Sequence, residues 1–392
     1  MGMKLPALKH ITDHQILASV FMVSLLLYGC GSEISYYKRG VRYEKRGEYA
    51  KAIDSYNKSL KHDPQYALSY FGLGSVFTKN KRWNEALTNL MEAERLGVND
   101  QELHMTLGSV YEALNQMEKA AEEYGKAIKD RPDDVYAHLK IGSSLEQLSD
   151  YEGALAEYNA AIAIAIDFHE AYFHSARMLF RLNKFKESEE TYLQALQLNK
   201  NYPEAQNNLT VLYLATNQIM KAYESAKKTL DIDSGYSPGI VNMGVVYELM
   251  ENPLEAEKYY TEATEKNSEY AMAHYRLGLL MSKDGRMSEA QNELELAIMA
   301  DPDFAPAYNE LGLTLLENGE YSKAIEHLTN AVRIDSTYAV AYYNMGGILA
   351  NTGEYLKAAS AYNKYLQHAE SPEDAESVLA RIRILMAAGK NR

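Results

Sequence analysis

The sequence predicts an all-α fold built from ten copies of one short unit, and three observations carry that reading. Aligned against itself at a spacing of 34 residues, the chain holds one unbroken register from Glu33 to Pro372. Small residues recur at fixed places in that register. Position 8 reads Gly40, Gly74, Gly108, Gly142, Ala176, Thr210, Gly244, Gly278, Gly312 and Gly346, and position 20 is Ala everywhere but Ser188. Large residues recur at positions 4, 11, 17 and 24, which hold 19 of the 32 Tyr of a chain with 8 Phe and 1 Trp in 392 residues.

The first element is an address. Residues 1–29 open with Lys4 and Lys9, continue through an uncharged stretch from Ile16 to Tyr28, and end at Gly29 before Cys30. Thirteen uncharged residues fit a signal-peptide core and fall short of a bilayer span. Leu27-Tyr28-Gly29-Cys30 resembles the bacterial lipobox, and Cys30 is the only cysteine of the chain. The resemblance implies cleavage before Cys30, acylation of its thiol and new amino terminus, and residues 30–32 as the lipidated N-terminus. Gly31, where an Asp would favour retention in the inner membrane, implies an outer-membrane protein facing the periplasm.

Residues 33–372 are the ten units. Position 11 is always large, from Tyr43 to Leu349, and position 24 is large except at Ala226. Position 27 is Ala in most units, with Ser59, Thr229 and Tyr365 as departures. Small residues at 8 and 20 let two helices approach, large ones fill the space around the contact, and the small residue at 27 lets the next unit dock. Gly47, Asn115, Asn183, Asn217, Gly285, Gly319 and Gly353 at position 15 tolerate the left-handed backbone of a tight turn. Pro64, Pro132 and Pro302 mark where the second helix stops. This pattern resembles the tetratricopeptide repeat (TPR), which implies a right-handed superhelical solenoid of helix–turn–helix units with helix A of each on the concave side. Units 5 and 6 are the least regular, with Ser175, Ala176 and Ser188 in one and Thr210 and Ala226 in the other. Residues 373–392 read as a capping helix for the last unit, with Ser371-Pro372 at its start and Val378, Ile382 and Leu385 as its apolar stripe.

Composition narrows the function. A formal net charge of −14 disfavours nucleic acid. One cysteine excludes a disulfide framework and a Cys-rich metal site. His169 and His174 are five apart, not the four of a zinc helix, and His104, His138 and His274 at position 4 read as packing residues. No catalytic, cofactor or metal site and no small-molecule substrate is expected, so the chain is not read as an enzyme.

The concave face is the expected working surface. In relatives, helix-A positions 2, 5, 6, 9, 12 and 13 touch the ligand. Here positions 5 and 6 supply Asn207, Asn208, Asn242, Arg276, Asn309 and Asn344. An asparagine offers a donor and an acceptor to a peptide backbone, and Ala341-Tyr342-Tyr343-Asn344-Met345-Gly346 resembles asparagine-ladder relatives. In the front half Phe71, Met105, Leu139 and Phe173 hold position 5, read as either an apolar groove strip or spillover of the core. The family's carboxylate clamp needs Lys at position 5 and Asn at position 9, and no unit has either. The expectation is a non-catalytic protein-binding scaffold on the bacterial cell envelope, with envelope proteins or peptides as partners. The alternative is an adaptor presenting substrates to an envelope peptidase or hydrolase.

Overall fold

The structure, a computed structural model, describes residues 32–369 and 375–390. Cys30, the leader and the capping-helix start at 371–374 lie outside the described residues. Among the described residues every regular element is a helix. Helix A spans Ser32–Lys45, Ala67–Lys79, Gln101–Ala113, Val135–Gln147 and His169–Arg181 in repeats 1–5. In repeats 6–10 it spans Pro203–Ala215, Ser237–Leu249, Ala271–Lys283, Ala305–Glu317 and Ala339–Asn351. Helix B spans Tyr49–His62, Trp83–Arg95, Met117–Asp130, Tyr151–Ile164 and Phe185–Leu198, then Ile219–Ile232, Pro253–Lys266, Met287–Ala300, Tyr321–Ile334 and Tyr355–His368.

The turn between A and B is the same in every repeat. The N–H at position 16 returns to the carbonyl at position 11, as in Glu48 to Tyr43 at 2.9 Å, Gln116 to Tyr111 at 2.9 Å and Glu354 to Leu349 at 2.8 Å. That closure forces position 15 into the left-handed region. All ten residues there have positive φ, including Lys81 at 58°, Ser149 at 61° and Glu251 at 58°, which the sequence does not single out. Each such L-residue costs about 1–2 kcal/mol, so repetition of the fold overrides local preference.

Packing within a repeat rests on positions 8 and 24. A Cβ on Gly108 would lie 2.4 Å from the Tyr124 ring, well inside a carbon–carbon contact of about 3.5 Å. Repeat 6 exchanges the sizes at these two positions, with Thr210 at position 8 and Ala226 at position 24, both fully buried. Repeat 5 satisfies its irregular Ser188 by donating Oγ–H to the Ala176 carbonyl at 2.7 Å.

Position 4 ties helix A to the preceding loop. The Tyr70 hydroxyl donates to the Pro64 carbonyl at 3.3 Å, and that of Tyr172 to Ile166 at 3.1 Å. His138 Nε2 takes the same role to Pro132 at 3.1 Å, and His274 Nε2 to Ser268 at 3.2 Å. Their Nδ1 atoms pair with Glu157 at 2.6 Å and Glu293 at 2.7 Å. These histidines are thus polar ties between helices A and B, more than the packing residues the sequence predicts.

The described chain divides into two compact bodies between Leu198 and Asn199, beside the least regular repeats. The N-terminal half holds repeats 1–5. The C-terminal half holds repeats 6–10 and the helix Ala375–Lys390. That helix buries Val378, Ile382 and Leu385 against Leu349, Ala358 and Tyr362 of repeat 10, and Arg381 Nη1 donates to the Tyr362 hydroxyl at 3.0 Å. Among the described residues no helix is long and apolar enough to cross a membrane.

Candidate functional site

Successive A helices touch closely through repeats 1–3 and again through repeats 6–10, and among the described residues no pair of B helices is in comparable contact. Stacked hairpins whose A helices crowd together curve toward the A side. The A face is therefore the inner face of each half, and it carries the predicted site residues.

In the C-terminal half the asparagines form two layers. Asn207 and Asn309 are buried, Asn309 completely, so neither presents its side chain to a ligand as the sequence reading supposed. Each instead accepts a hydrogen bond from position 6 of the next repeat. Asn242 Nδ2 donates to Asn207 Oδ1 at 2.8 Å, and Asn344 Nδ2 donates to Asn309 Oδ1 at 2.9 Å. The reason is the geometry of stacking: position 5 points into the seam between repeats, and position 6 of the following helix lies over it. Each outer amide is held by one N–H. Its carbonyl oxygen and second N–H are left for a ligand. Asn208 is half-buried at the same position in repeat 6. Asn309 Nδ2 also donates to Glu310 Oε1 at 2.9 Å, and burial raises the Glu310 carboxyl above its ordinary range despite that bond. Arg276 lines the same stripe, with its Nε buried and lacking a hydrogen-bond partner.

The N-terminal half is different. Phe71 and Leu139 pack against local core clusters and remain half-buried, as does Met105. Phe173 is 9% exposed and lies against Tyr192, His174 and Arg177. A continuous exposed apolar strip therefore does not form, because these side chains fill the seams beneath the inner face. Beside Phe71 and Gly72 is a cavity of about 310 Å³, lined also by Tyr37, Glu44 and Lys79.

What the sequence reading missed here is a line of carboxylates. Glu44 accepts from the Tyr56 hydroxyl at 2.6 Å, Ser75 at 2.7 Å and Lys79 at 2.6 Å. Burial alone would raise its pKa, but those bonds outweigh it and hold the carboxyl below its ordinary range. Glu112 accepts from Tyr124 at 2.8 Å and pairs with Lys140 at 3.1 Å. Glu146 accepts from Tyr158 at 3.3 Å and pairs with Arg177. Each link joins position 12 to position 24 of its own repeat and to a cation of the next, so the acids act as staples between repeats. The signal was present in the sequence: Tyr stands at position 24 wherever Glu stands at position 12.

Models of the tetratricopeptide repeat match residues 105–167, 169–202 and 249–311, and a TPR repeat model matches 36–81 and 312–353. No curated protein sequence matches the chain. Among solved structures, yeast Tom70 is similar with a TM-score of 0.57 at 12% identity, over 91% of this chain and 96% of that one. The Cut9–Hcn1 hetero-tetramer of the APC/C gives 0.52 at 13% identity, over 88% and 75%. A tetratricopeptide repeat protein from Parabacteroides merdae gives 0.50 at 17% identity, over 64% and 98%. At such identities the likeness is one of fold. The matched segments cover well over half of the chain and fall in the register of the hairpins described above, so the chain belongs to the tetratricopeptide repeat family.

Proposed function

We propose that this protein is a non-catalytic interaction scaffold of the bacterial cell envelope, anchored through lipid on Cys30, that binds extended peptide segments of its partners on the inner face of its C-terminal half. Tetratricopeptide repeat proteins work by binding other proteins, and that much follows from the family. The observation that carries the finer reading is the two-layer amide arrangement. Asn242 and Asn344 are fixed from below by Asn207 and Asn309, so little side-chain entropy remains to be lost when a peptide backbone pairs with them. A backbone offers one donor and one acceptor per residue regardless of sequence. The amide pairs therefore favour extended segments of varied sequence.

The anchor rests on the lipobox resemblance alone. Two or three acyl chains would hold the chain on a membrane far more firmly than one. Changing Cys30 to Ser is expected to release the protein from membranes or leave an uncleaved precursor, and an unchanged mature mass and location would refute the anchor. For the groove, membranes are solubilised in mild detergent and partners are captured with the wild-type chain and with a triple Asn208, Asn242, Asn344→Ala variant. Partners lost in the triple variant support the reading, and partners retained in full refute it.

A further inference from the structure

Position 28 of helix B faces the seam between repeats. It is aliphatic in eight repeats and Thr264 in a ninth, and only repeat 2 places a charged residue there, Glu94. The carboxylate lies beside the His–Glu tie of the next repeat. One ligating atom each from Glu94, His104 and Glu123 lies within 4.8 Å of the others. His104 is 3% exposed and Glu123 is 7% exposed, while Glu94 is half-buried and opens the cluster to solvent. We propose that these three side chains bind one divalent transition-metal ion of the Zn²⁺ type, clipping helix B of repeat 2 to both helices of repeat 3.

The outer partners are already in place. His104 Nδ1 lies 2.7 Å from Glu123 Oε2, and its Nε2 lies 2.7 Å from Asn99 Oδ1. A ring whose Nε2–H donates to an amide oxygen presents Nδ1 as the metal ligand, the usual second partner of a ligating histidine. Glu123 uses its other oxygen, Oε1, to pair with Lys126 Nζ at 2.7 Å, which leaves Oε2 for the ion. Tetrahedral Zn²⁺ with bonds of about 2.0–2.1 Å sets its ligands about 3.4 Å apart. Small side-chain rotations reach that spacing, and water completes the fourth position. The proton shared between Nδ1 and Oε2 leaves to solvent as the ion enters.

Charge balance points the same way. Glu94, Glu122 and Glu123 surround one ammonium, Lys126, at 4.0, 3.4 and 2.7 Å. Three carboxylates thus face a single ammonium, an excess of negative charge that a divalent cation offsets. The other two His–Glu ties serve as internal controls. The residues at position 28 before them are Ile128 and Thr264, and the Nε2 atoms of His138 and His274 are held by the backbone carbonyls of Pro132 and Ser268 rather than by a movable side chain.

The test is titration of the full chain, stripped with chelator, against Co²⁺ and Zn²⁺. Visible absorption reports tetrahedral Co²⁺, and calorimetry reports Zn²⁺. Wild type is expected to bind one equivalent saturably, with the cobalt bands displaced by Zn²⁺. Losing even an outer partner of a metal site costs about 10–100-fold in affinity. Glu94→Leu, which supplies the aliphatic residue of the other repeats, is therefore expected to lose about a hundredfold or more while keeping its helicity. Glu157→Gln, in the second His–Glu tie, is expected to bind as wild type. Glu94→Gln repeats the test with the side-chain shape unchanged. Absence of one-equivalent binding in wild type, or undiminished binding in both Glu94 variants, overturns the proposal.

Discussion

Repeat 6 offers a direct test of how the hairpins are packed. In the other repeats with Leu at position 24, a Cβ on the glycine at position 8 would lie 2.5 Å from Leu90, and 2.9 Å from Leu294 and Leu328. Repeat 6 escapes that overlap by pairing Thr210 with Ala226. Ala226→Leu alone therefore drives a leucine into the Thr210 side chain with an overlap of about 0.6–1 Å against a contact of about 3.5 Å. Overpacking of this kind costs about 1–3 kcal/mol. Thr210→Gly alone removes buried atoms and puts glycine in a helix, for about 2–3 kcal/mol. Together the two substitutions rebuild the packing of repeats 2, 8 and 9, leaving only the glycine cost of about 1 kcal/mol. The coupling between them is then about 2–5 kcal/mol in the favourable direction, at or above the upper end for residues in contact. A solenoid of many repeats does not unfold in one step, so the assay is amide exchange read on peptides from Ile219–Ile232. Each 1.4 kcal/mol is about a tenfold change in exchange rate. Additive effects of the two substitutions would show that positions 8 and 24 do not set the spacing of helices A and B.

Two further perturbations follow from backbone and charge. Glu251, at φ 58°, gains by replacement with glycine. Relief of the left-handed strain, less the entropy that glycine adds to the unfolded chain, gives about 0.5–1 kcal/mol of local stability, readable as slower exchange in repeat 7. His174 is held down to about 4, first by burial and then by Arg177. A folded pKa below the ordinary value of about 6.5 means that the unfolded chain binds the proton first as pH falls. Its stabilisation is complete above about pH 6.5 and is lost toward pH 4. Wild type is expected to lose about 2 kcal/mol more than His174→Asn between pH 6.5 and 5, and equal losses, read by amide exchange on peptides from His169–Arg181, would refute the assignment.

The sequence exposes most of the fold because each repeat reports on the others. One period places the start of every helix to within a residue, and the glycines and asparagines of position 15 mark a turn that Lys81 and Glu251 then also adopt. The inner face is harder to read. Asn207 and Asn309 carry the same chemistry as Asn242 and Asn344, and only the stacking of neighbouring repeats sends one pair into the seam and leaves the other outside. The Glu112–Tyr124 link left a trace, Tyr at position 24 wherever Glu stands at position 12, but only the packing of helices A and B shows that the two side chains meet. Phe71, Met105, Leu139 and Phe173 leave the sequence open between a groove strip and spillover of the core, because apolar spacing is the same for both.

The peptide-backbone reading is tested most directly with a captured partner segment and the same segment carrying backbone N-methyl groups. A hydrogen bond is worth about 0.5–1.5 kcal/mol, so three asparagines, each adding one such bond to the peptide, supply about 3 kcal/mol or about a hundredfold in affinity. That loss is expected from Asn208, Asn242, Asn344→Ala, and N-methylation is expected to weaken binding to wild type while changing little in the triple variant. Equal binding of the methylated and unmethylated segments to the wild-type chain would contradict the peptide-backbone reading.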